Sequence, residues 1–317
     1  KEFLHRHDIP TGNAATFCSL KPAMEYIRSM DPPFVIKADG LAAGKGVVIA
    51  ENQATAEIAI SDMLSGDRFG EAGKTIIVED FLEGEEASFI VMVDGENVLP
   101  LATSQDHKRI GEGDTGPNTG GMGAYSPAPV IDDAIYARVL KEIIFPTVEG
   151  MRKEGSNYCG FLYAGLMIDE LGKPWVIEYN CRLGDPETQP ILMRLQSDLL
   201  ELCQAALKGT LHKVSIQWDP RPALGVVLAS RGYPNDYKKG IPLDGLDDGL
   251  EHDTKIFHSG TSFQDGTLVS SGGRVLCVTS LGKDIVESQD RCYDRINKIG
   301  FEGASFRNDI GWRALQR

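Results

Sequence analysis

Glu178 and Asn180 stand two residues apart in Ile177-Glu178-Tyr179-Asn180-Cys181-Arg182. On a strand that spacing puts a carboxylate and an amide oxygen on one face. They could share a hard divalent ion that keeps waters and bridges nucleotide phosphates, as Mg²⁺ usually does. Arg182 follows on the same face and could clamp a transferring phosphoryl group. A solvated surface strand would carry the same three residues.

A second candidate is Asp39-Gly40-Leu41-Ala42-Ala43-Gly44-Lys45-Gly46. Its glycines let backbone N–H groups approach an anion closely, and Lys45 adds a positive charge. The run lacks the Gly-Lys-Ser/Thr that opens a helix in the Walker phosphate loop. An ordinary glycine-rich hairpin turn competes with the phosphate-cradle reading. Lys37 bears on the choice, because a lysine inside the apolar run Phe34-Val35-Ile36-Lys37 needs a partner if it is buried. A phosphate oxygen would serve.

Val78-Glu79-Asp80-Phe81-Leu82-Glu83-Gly84-Glu85-Glu86 follows another apolar run. Adenine needs an apolar slot, which Phe81 and Leu82 suit, and a ribose needs a carboxylate for its hydroxyls, which Glu86 suits. An acidic, solvated linker has the same composition. Further on, Gln105-Asp106-His107-Lys108-Arg109 supplies two cations, and Gly116-Pro117-Asn118-Thr119-Gly120-Gly121-Met122-Gly123 could order over a ligand as a lid. His107 reads as structural or orienting, since no Ser, Cys or carboxylate pairing of the triad type accompanies it.

Short strands and turns must position these groups. Residues 34–37 and 46–50 are predicted strands joined by the glycine loop, and 75–79 returns as a third. Between them 53–64 is a predicted helix with Ile58, Ile60, Met63 and Leu64 mainly on one face. Residues 15–82 thus make a small sheet with helical cover. The runs 87–93 and 98–102 flank Asp94-Gly95-Glu96-Asn97, a hairpin signal because Asp-Gly takes the positive dihedrals of a tight turn. A second hairpin, 163–168 and 175–179, leaves Glu178 and Asn180 where a strand ends. Residues 111–129, rich in Gly, Asn, Thr and Pro, are too polar for a core element and long enough to be functional. Helical periodicity marks 132–154 and 188–208, the second stopped by Gly209. Short strands at 223–229, 255–258 and 274–279 and a helix at 283–299 then form a separate C-terminal domain.

The chain is long enough, at 317 residues, to bury real cores without a disulfide or metal staple. Its 46 Asp and Glu against 32 Lys and Arg argue against non-specific attraction to nucleic acid or anionic membranes. The six cysteines lack a Cys-x-x-Cys pair and read as reduced thiols, and the six histidines show no metal spacing. No stretch approaches the ~18 apolar residues of a membrane helix, and no signal segment opens the chain. A cytoplasmic location is expected, with no nucleic-acid and no membrane partner; the sequence leaves the oligomeric state open. Lys1-Glu2-Phe3-Leu4 reads as a helix already under way, as in a fragment missing an upstream part.

Taken in order, the segments 36–46, 104–109, 116–125 and 180–187 resemble the ATP-grasp superfamily and, within it, the glycinamide ribonucleotide synthetase family. Residues 272–276 and 309–313 are similar to that family's C-terminal domain. The resemblance covers nearly the whole chain. It implies an α+β ATP-grasp fold, two α+β subdomains clasping ATP, followed by a small C-terminal α/β domain. Residues 1–82 would hold a helix remnant and the small subdomain, 83–216 the large subdomain with the metal site, and 217–317 the C-terminal domain.

By the same resemblance Lys37, Gly44, Lys45 and Gly46 would hold phosphates, Glu79 and Leu82 would contact adenine beside Phe81, and Glu86 the ribose. Lys108, Arg109 and Asn118 would line the phosphate and substrate side, and Arg182, Lys108 and Asp185 would be the catalytic groups. Glu178 and Asn180 would hold Mg²⁺ or Mn²⁺. Many superfamily members carry a further metal carboxylate on the preceding strand, where this chain has Leu166 and, in the turn, Asp169. A two-residue protein metal site is therefore expected. Family members also begin with an upstream domain that helps bind phosphoribosylamine.

The implied reaction joins glycine to 5-phosphoribosylamine. ATP converts glycine to glycyl phosphate, the amine attacks, and glycinamide ribonucleotide, ADP and phosphate result, an early step of purine synthesis. A carboxylate is a poor electrophile until phosphorylated, and phosphoryl transfer needs positioning and charge neutralisation more than a covalent nucleophile. The acyl phosphate must be kept from water, which gives 111–125 a reason to close. Another carboxylate–amine ligase, or a nucleotide-binding module without turnover, would share much of this pattern.

Overall fold

The computed structural model describes residues 1–40, 46–65, 73–247 and 252–317. Its chain divides into two compact units, one of Lys1–Gly84 with Met167–Ile177 and one of Glu85–Leu166 with Glu178–Arg317.

In the first unit α1 (Glu2–Arg6) precedes β1 (Ala14–Phe17), α2 (Leu20–Ile27), β2 (Phe34–Ala38), β3 (Val47–Ala50), α3 (Gln53–Leu64) and β4 (Ile76–Asp80). The antiparallel sheet runs β1-β4-β2-β3. Alternation along β2 sends Phe34 and Ile36 into a core with Ala23 and Ile27 of α2, Ile60 and Met63 of α3, and Ile76 and Val78 of β4. Lys37 therefore belongs to the opposite sheet face. Asn52 caps α3 by accepting the Thr55 N–H. The face α3 buries is Ala56, Ala59, Ile60 and Met63, whereas Ile58 is 63% exposed, contrary to the sequence expectation. Small alanines let the helix lie close to the sheet, and that rotates Ile58 outward.

Glycine is needed where this unit ends. Gly84 has φ +150°, and a Cβ there would lie 2.2 Å from the Ile168 carbonyl oxygen.

The second unit opens with β5 (Glu85–Asp94) and β6 (Val98–Pro100), closed by Asp94, whose Oδ1 accepts the Glu96 and Asn97 N–H groups. There follow β7 (Gln105–Asp106), β8 (Arg109–Gly111), β9 (Thr115–Asn118) and β10 (Gly123–Ser126). The stretch 111–129 is thus not the plain polar loop expected from composition. It holds a β8–β9 hairpin, and β10 is buried along its whole length, with Tyr125 inside the core. Composition misleads because Gly123 is a packing residue: a Cβ there would lie 2.6 Å from the Gly225 carbonyl oxygen on the paired strand.

The predicted helix at 132–154 forms as α4 (Asp133–Val139), a π-helical stretch at Leu140–Ile144 and α5 (Phe145–Lys153). Pro146 has no N–H to donate one turn back, which fits the widened turn before it. Strands β11 (Cys159–Ile168) and β12 (Pro174–Asn180) join β5 and β6 in the order β12-β11-β5-β6. The single helix expected at 188–208 is two, α6 (Thr188–Arg194) and α7 (Leu199–Leu207). Leu195 turns extended and bridges to Trp218, with Gln196 N–H donating to Gln217 and Asp219 N–H to Arg194, before Asp198 caps α7. A tertiary pairing displaces helical hydrogen bonds there.

The remaining elements are β13 (Ala223–Ala229), β14 (Leu243–Asp244), β15 (Thr254–His258), β16 (Thr261–Gln264), β17 (Thr267–Ser270), β18 (Arg274–Leu281), α8 (Ile285–Ile296), β19 (Gly300–Phe301) and α9 (Trp312–Leu315). The principal sheet here runs β15-β18-β13-β10-β7, so strands from 105–126 and from 223–281 share one core with Cys292 and Ile296 of α8. Among the described residues no helix is long and apolar enough to cross a membrane.

Candidate active site

In the first unit the partner that Lys37 requires is Glu79. Register places Val35 opposite Glu79 and Lys37 opposite Ile77, so the two charged side chains are diagonal neighbours on the sheet face away from the aliphatic core. Lys37 Nζ lies 3.0 Å from Glu79 Oε2 and donates also to the Ile177 carbonyl at 3.3 Å. Lys1 Nζ reaches the same carboxylate oxygen at 3.1 Å, and burial pulls the Lys1 pKa down against that attraction. Glu79 is 5% exposed, so two cations share one buried carboxylate. Phe81 and Leu82 follow β4 half-buried, and Leu82 packs over Gly12. Gly46 is buried and its carbonyl accepts the Ala38 N–H. Gly44 and Lys45 lie outside the described residues.

In the second unit β12 ends as expected, with Glu178 and Asn180 on one face and Asn180 Nδ2 3.4 Å from Glu178 Oε1. Gly165 makes room for this pair, because a Cβ there would sit 3.1 Å from Glu178 Cγ. Arg182 is exposed and donates to the Leu183 carbonyl.

Lys108 is the electrostatic centre of this unit. Its Nζ lies 2.6 Å from Glu86 Oε2. Burial opposes its charge, yet Glu86, Asp106, Tyr163 and Glu178 around it hold its pKa well above the ordinary lysine value. Burial alone would raise the Glu86 carboxyl, but Lys108 brings it below the ordinary value. Asp106 behaves oppositely. Burial, reinforced by Glu187, Glu86 and Glu178 and opposed by Lys108, pushes its pKa up to about 8. Arg109 pairs with Asn118 across the β8–β9 hairpin, and its guanidinium donates to the Gly116 carbonyl at 2.7 Å.

Spacing alone does not mark Glu187 or Arg274 as site residues, whereas His107 is read from the sequence as structural or orienting. Glu187, 3% exposed, accepts from Ser88 Oγ at 3.0 Å and Tyr163 Oη at 2.8 Å. Its position at the end of Gly184-Asp185-Pro186-Glu187 was the available signal. Arg274 of β18 donates to Asp185 Oδ2 and to the Asp185 carbonyl, each at 2.8 Å, and to the Gly120 carbonyl at 2.6 Å. Asp185 is thereby tied to the glycine-rich segment. His107 is fully buried and structural in its contacts: Nε2 accepts the Gly311 N–H at 2.9 Å, and Nδ1 lies 3.8 Å from Asp114. Accepting at Nε2 requires the neutral ring with its proton on Nδ1. Burial lowers its pKa, consistent with that form.

A carboxylate–amide pair at a strand end, a lysine paired with a carboxylate and small antiparallel sheets with helical cover are the equipment of an ATP-grasp enzyme. Residues 1–188 match the Phosphoribosylglycinamide synthetase, ATP-grasp (A) domain, and residues 223–313 match the Phosphoribosylglycinamide synthetase, C domain. The chain belongs to the phosphoribosylglycinamide synthetase family. It is 60% identical to a phosphoribosylamine–glycine ligase of Vibrio cholerae and 58% identical to one of Pseudomonas aeruginosa, in each case over all 317 residues and 74% of the relative's length. A crystal structure of phosphoribosylamine–glycine ligase from Thermotoga maritima superposes with a TM-score of 0.89 at 35% identity, covering 98% of this chain and 76% of that one. A biotin carboxylase from Campylobacter jejuni shares the fold alone, with a TM-score of 0.75 at 14% identity over 100% of this chain and 69% of that one.

Proposed function

We propose that this chain joins glycine to 5-phosphoribosylamine with ATP, through glycyl phosphate, to give glycinamide ribonucleotide, ADP and phosphate in purine biosynthesis. The observation that carries the reading is the Glu178–Asn180 pair at the end of β12, with Lys108 paired to Glu86 in the same unit, in a chain 60% identical to a phosphoribosylamine–glycine ligase.

A divalent ion fits the pair, since both side chains offer hard oxygen donors from one strand face. Among the described residues no group of three or more His, Cys, Asp or Glu could hold a metal by itself. Glu178 and Asn180 would hold Mg²⁺ or Mn²⁺, with the amide turned to present its oxygen. Such an ion, when bound, neutralises phosphate charge and orients the phosphate for in-line attack. Lys108 and Arg109 would attract and orient the anionic phosphoryl acceptor and donor oxygens. Lys37 and Lys45, with Gly44 and Gly46, would hold nucleotide phosphates. Glu79, Phe81 and Leu82 would bound the base, and Glu86 would meet the ribose. Asn118, Arg182 and Asp185 complete the substrate side. The division 1–82, 83–216 and 217–317 is part of the same reading; the two family matches, 1–188 and 223–313, bracket its second boundary alone.

Measuring ADP release with glycine and freshly generated phosphoribosylamine, against other acids and amines, tests the reading on the complete natural polypeptide. Glycine-dependent release is expected, and its absence would overturn the assignment. Glu178→Gln should shift the metal titration to higher concentration and lower turnover by about 10–100-fold with the fold intact; an unchanged titration removes Glu178 from the site.

A further inference from the structure

Residues 307–313 strap the segment that carries Lys108. Asp106 and Lys108 interact on one side of their extended segment, while His107 between them turns the other way, to Gly311. Arg307 is 1% exposed. Its Nη1 donates to Asp114 Oδ1 at 2.8 Å and to the Arg109 carbonyl at 3.1 Å. Its Nε and Nη2 donate to the two oxygens of Asp309 at 2.7 Å each, and Asp309 Oδ2 also accepts the Gly113 N–H at 2.8 Å. Arg313 holds the second oxygen of Asp114, and Asn308 Nδ2 donates to Glu112 at 2.6 Å. These guanidinium bonds of Arg307 thus end on the 109–114 segment or on an aspartate bonded to it.

We propose that Arg307 is a positioning residue for the ligation: from the C-terminal domain it fixes the backbone that presents Lys108 and Arg109. The inference rests on the role given to Lys108 above. A planar guanidinium suits the task, because three nitrogens in fixed directions set acceptors on three residues relative to one another, which a lysine ammonium at the same place does not do. Small misplacement of a group that contacts the transferring phosphoryl is costly in rate even where binding is kept.

The test compares Arg307→Lys, Lys108→Ala and the double variant in the complete natural polypeptide, reading melting temperature, ATP KM and single-turnover ADP formation. Arg307→Lys should melt cooperatively, keep ATP KM within about twofold and slow ADP formation by roughly tenfold or more. In the Lys108→Ala background it should add less than about twofold, because two residues acting through one group are not additive. An equal slowing by Arg307→Lys in both backgrounds, or none in the parent, would overturn the inference while leaving the ligase reading intact. If Lys108→Ala alone leaves the rate unchanged, the Lys108 role falls first and the inference with it. Should Arg307→Lys fail to fold, Asp114→Asn, which keeps the shape of the acceptor and removes its charge, is judged by the same two backgrounds.

Discussion

The two units hold their charged groups in different ways. In the first, Lys37 and Glu79 lie on one face of a sheet whose other face buries aliphatic side chains against α2 and α3, and Lys1, from before α1, reaches the same carboxylate. In the second, Arg307 and Glu187 are themselves buried: Arg307 bonds Asp114, Asp309 and the Arg109 carbonyl, and Glu187 accepts from Ser88 and Tyr163. A charge on a sheet face can be removed with the core intact. A charge that forms part of the packing cannot, since its loss strands other charges away from water.

Removing the most buried charge should have the largest effect. Arg307→Met leaves Asp114 and Asp309 without their shared fork and should destabilise the second unit by about 3–5 kcal/mol, read from denaturant unfolding. Lys37→Met should cost only about 1–2 kcal/mol, because Glu79 keeps Lys1 at 3.1 Å. A loss as large as that of Arg307→Met would erase the contrast between the units.

Acid should expose the same asymmetry. Burial lowers the pKa of His107 below its ordinary 6.5, so the unfolded chain binds the extra proton first and stability falls as pH drops below about 6.5. His107→Gln, retaining an acceptor for Gly311, should flatten melting temperature between pH 6.5 and 5. Further loss is expected at lower pH from Asp253, whose hydrogen bonds from Arg221 bring its pKa from 3.8 down to about 2. That contribution is complete above about 4 and disappears as pH falls through about 2. An unaltered slope in His107→Gln would remove the histidine from the account. The smallest effect belongs to Ile58→Ser on the exposed side of α3, expected within about 0.5 kcal/mol of the parent.

Much of the first unit was readable because its elements are local. Short apolar runs bounded by turn residues located β2 and β4, and a lysine inside the first of them demanded a partner. The Asp94 turn and the Glu178–Asn180 face were equally local. What periodicity missed depends on remote segments. Leu195 looks helical until Trp218 pairs with it, and Gly123 looks like loop until Gly225 lies alongside. Ile58 has the right residue type for a core but the wrong helix face. Glu187 and Arg274 lay in quoted motifs, yet spacing could not show that one is buried against Ser88 and Tyr163 or that the other ties Asp185 to Gly120.

The sequence by itself determined the donor chemistry at the strand end, the apolar faces of the short strands and the family, because each is written in residue types a few positions apart. Tertiary structure alone decided that Lys37 meets Glu79, that Lys108 stays charged beside Glu86, and that Arg307 reaches back nearly two hundred residues to Asp114. The physical reason is range: side-chain periodicity reports which face a residue takes, whereas burial and pKa depend on which distant charges the fold brings to that face.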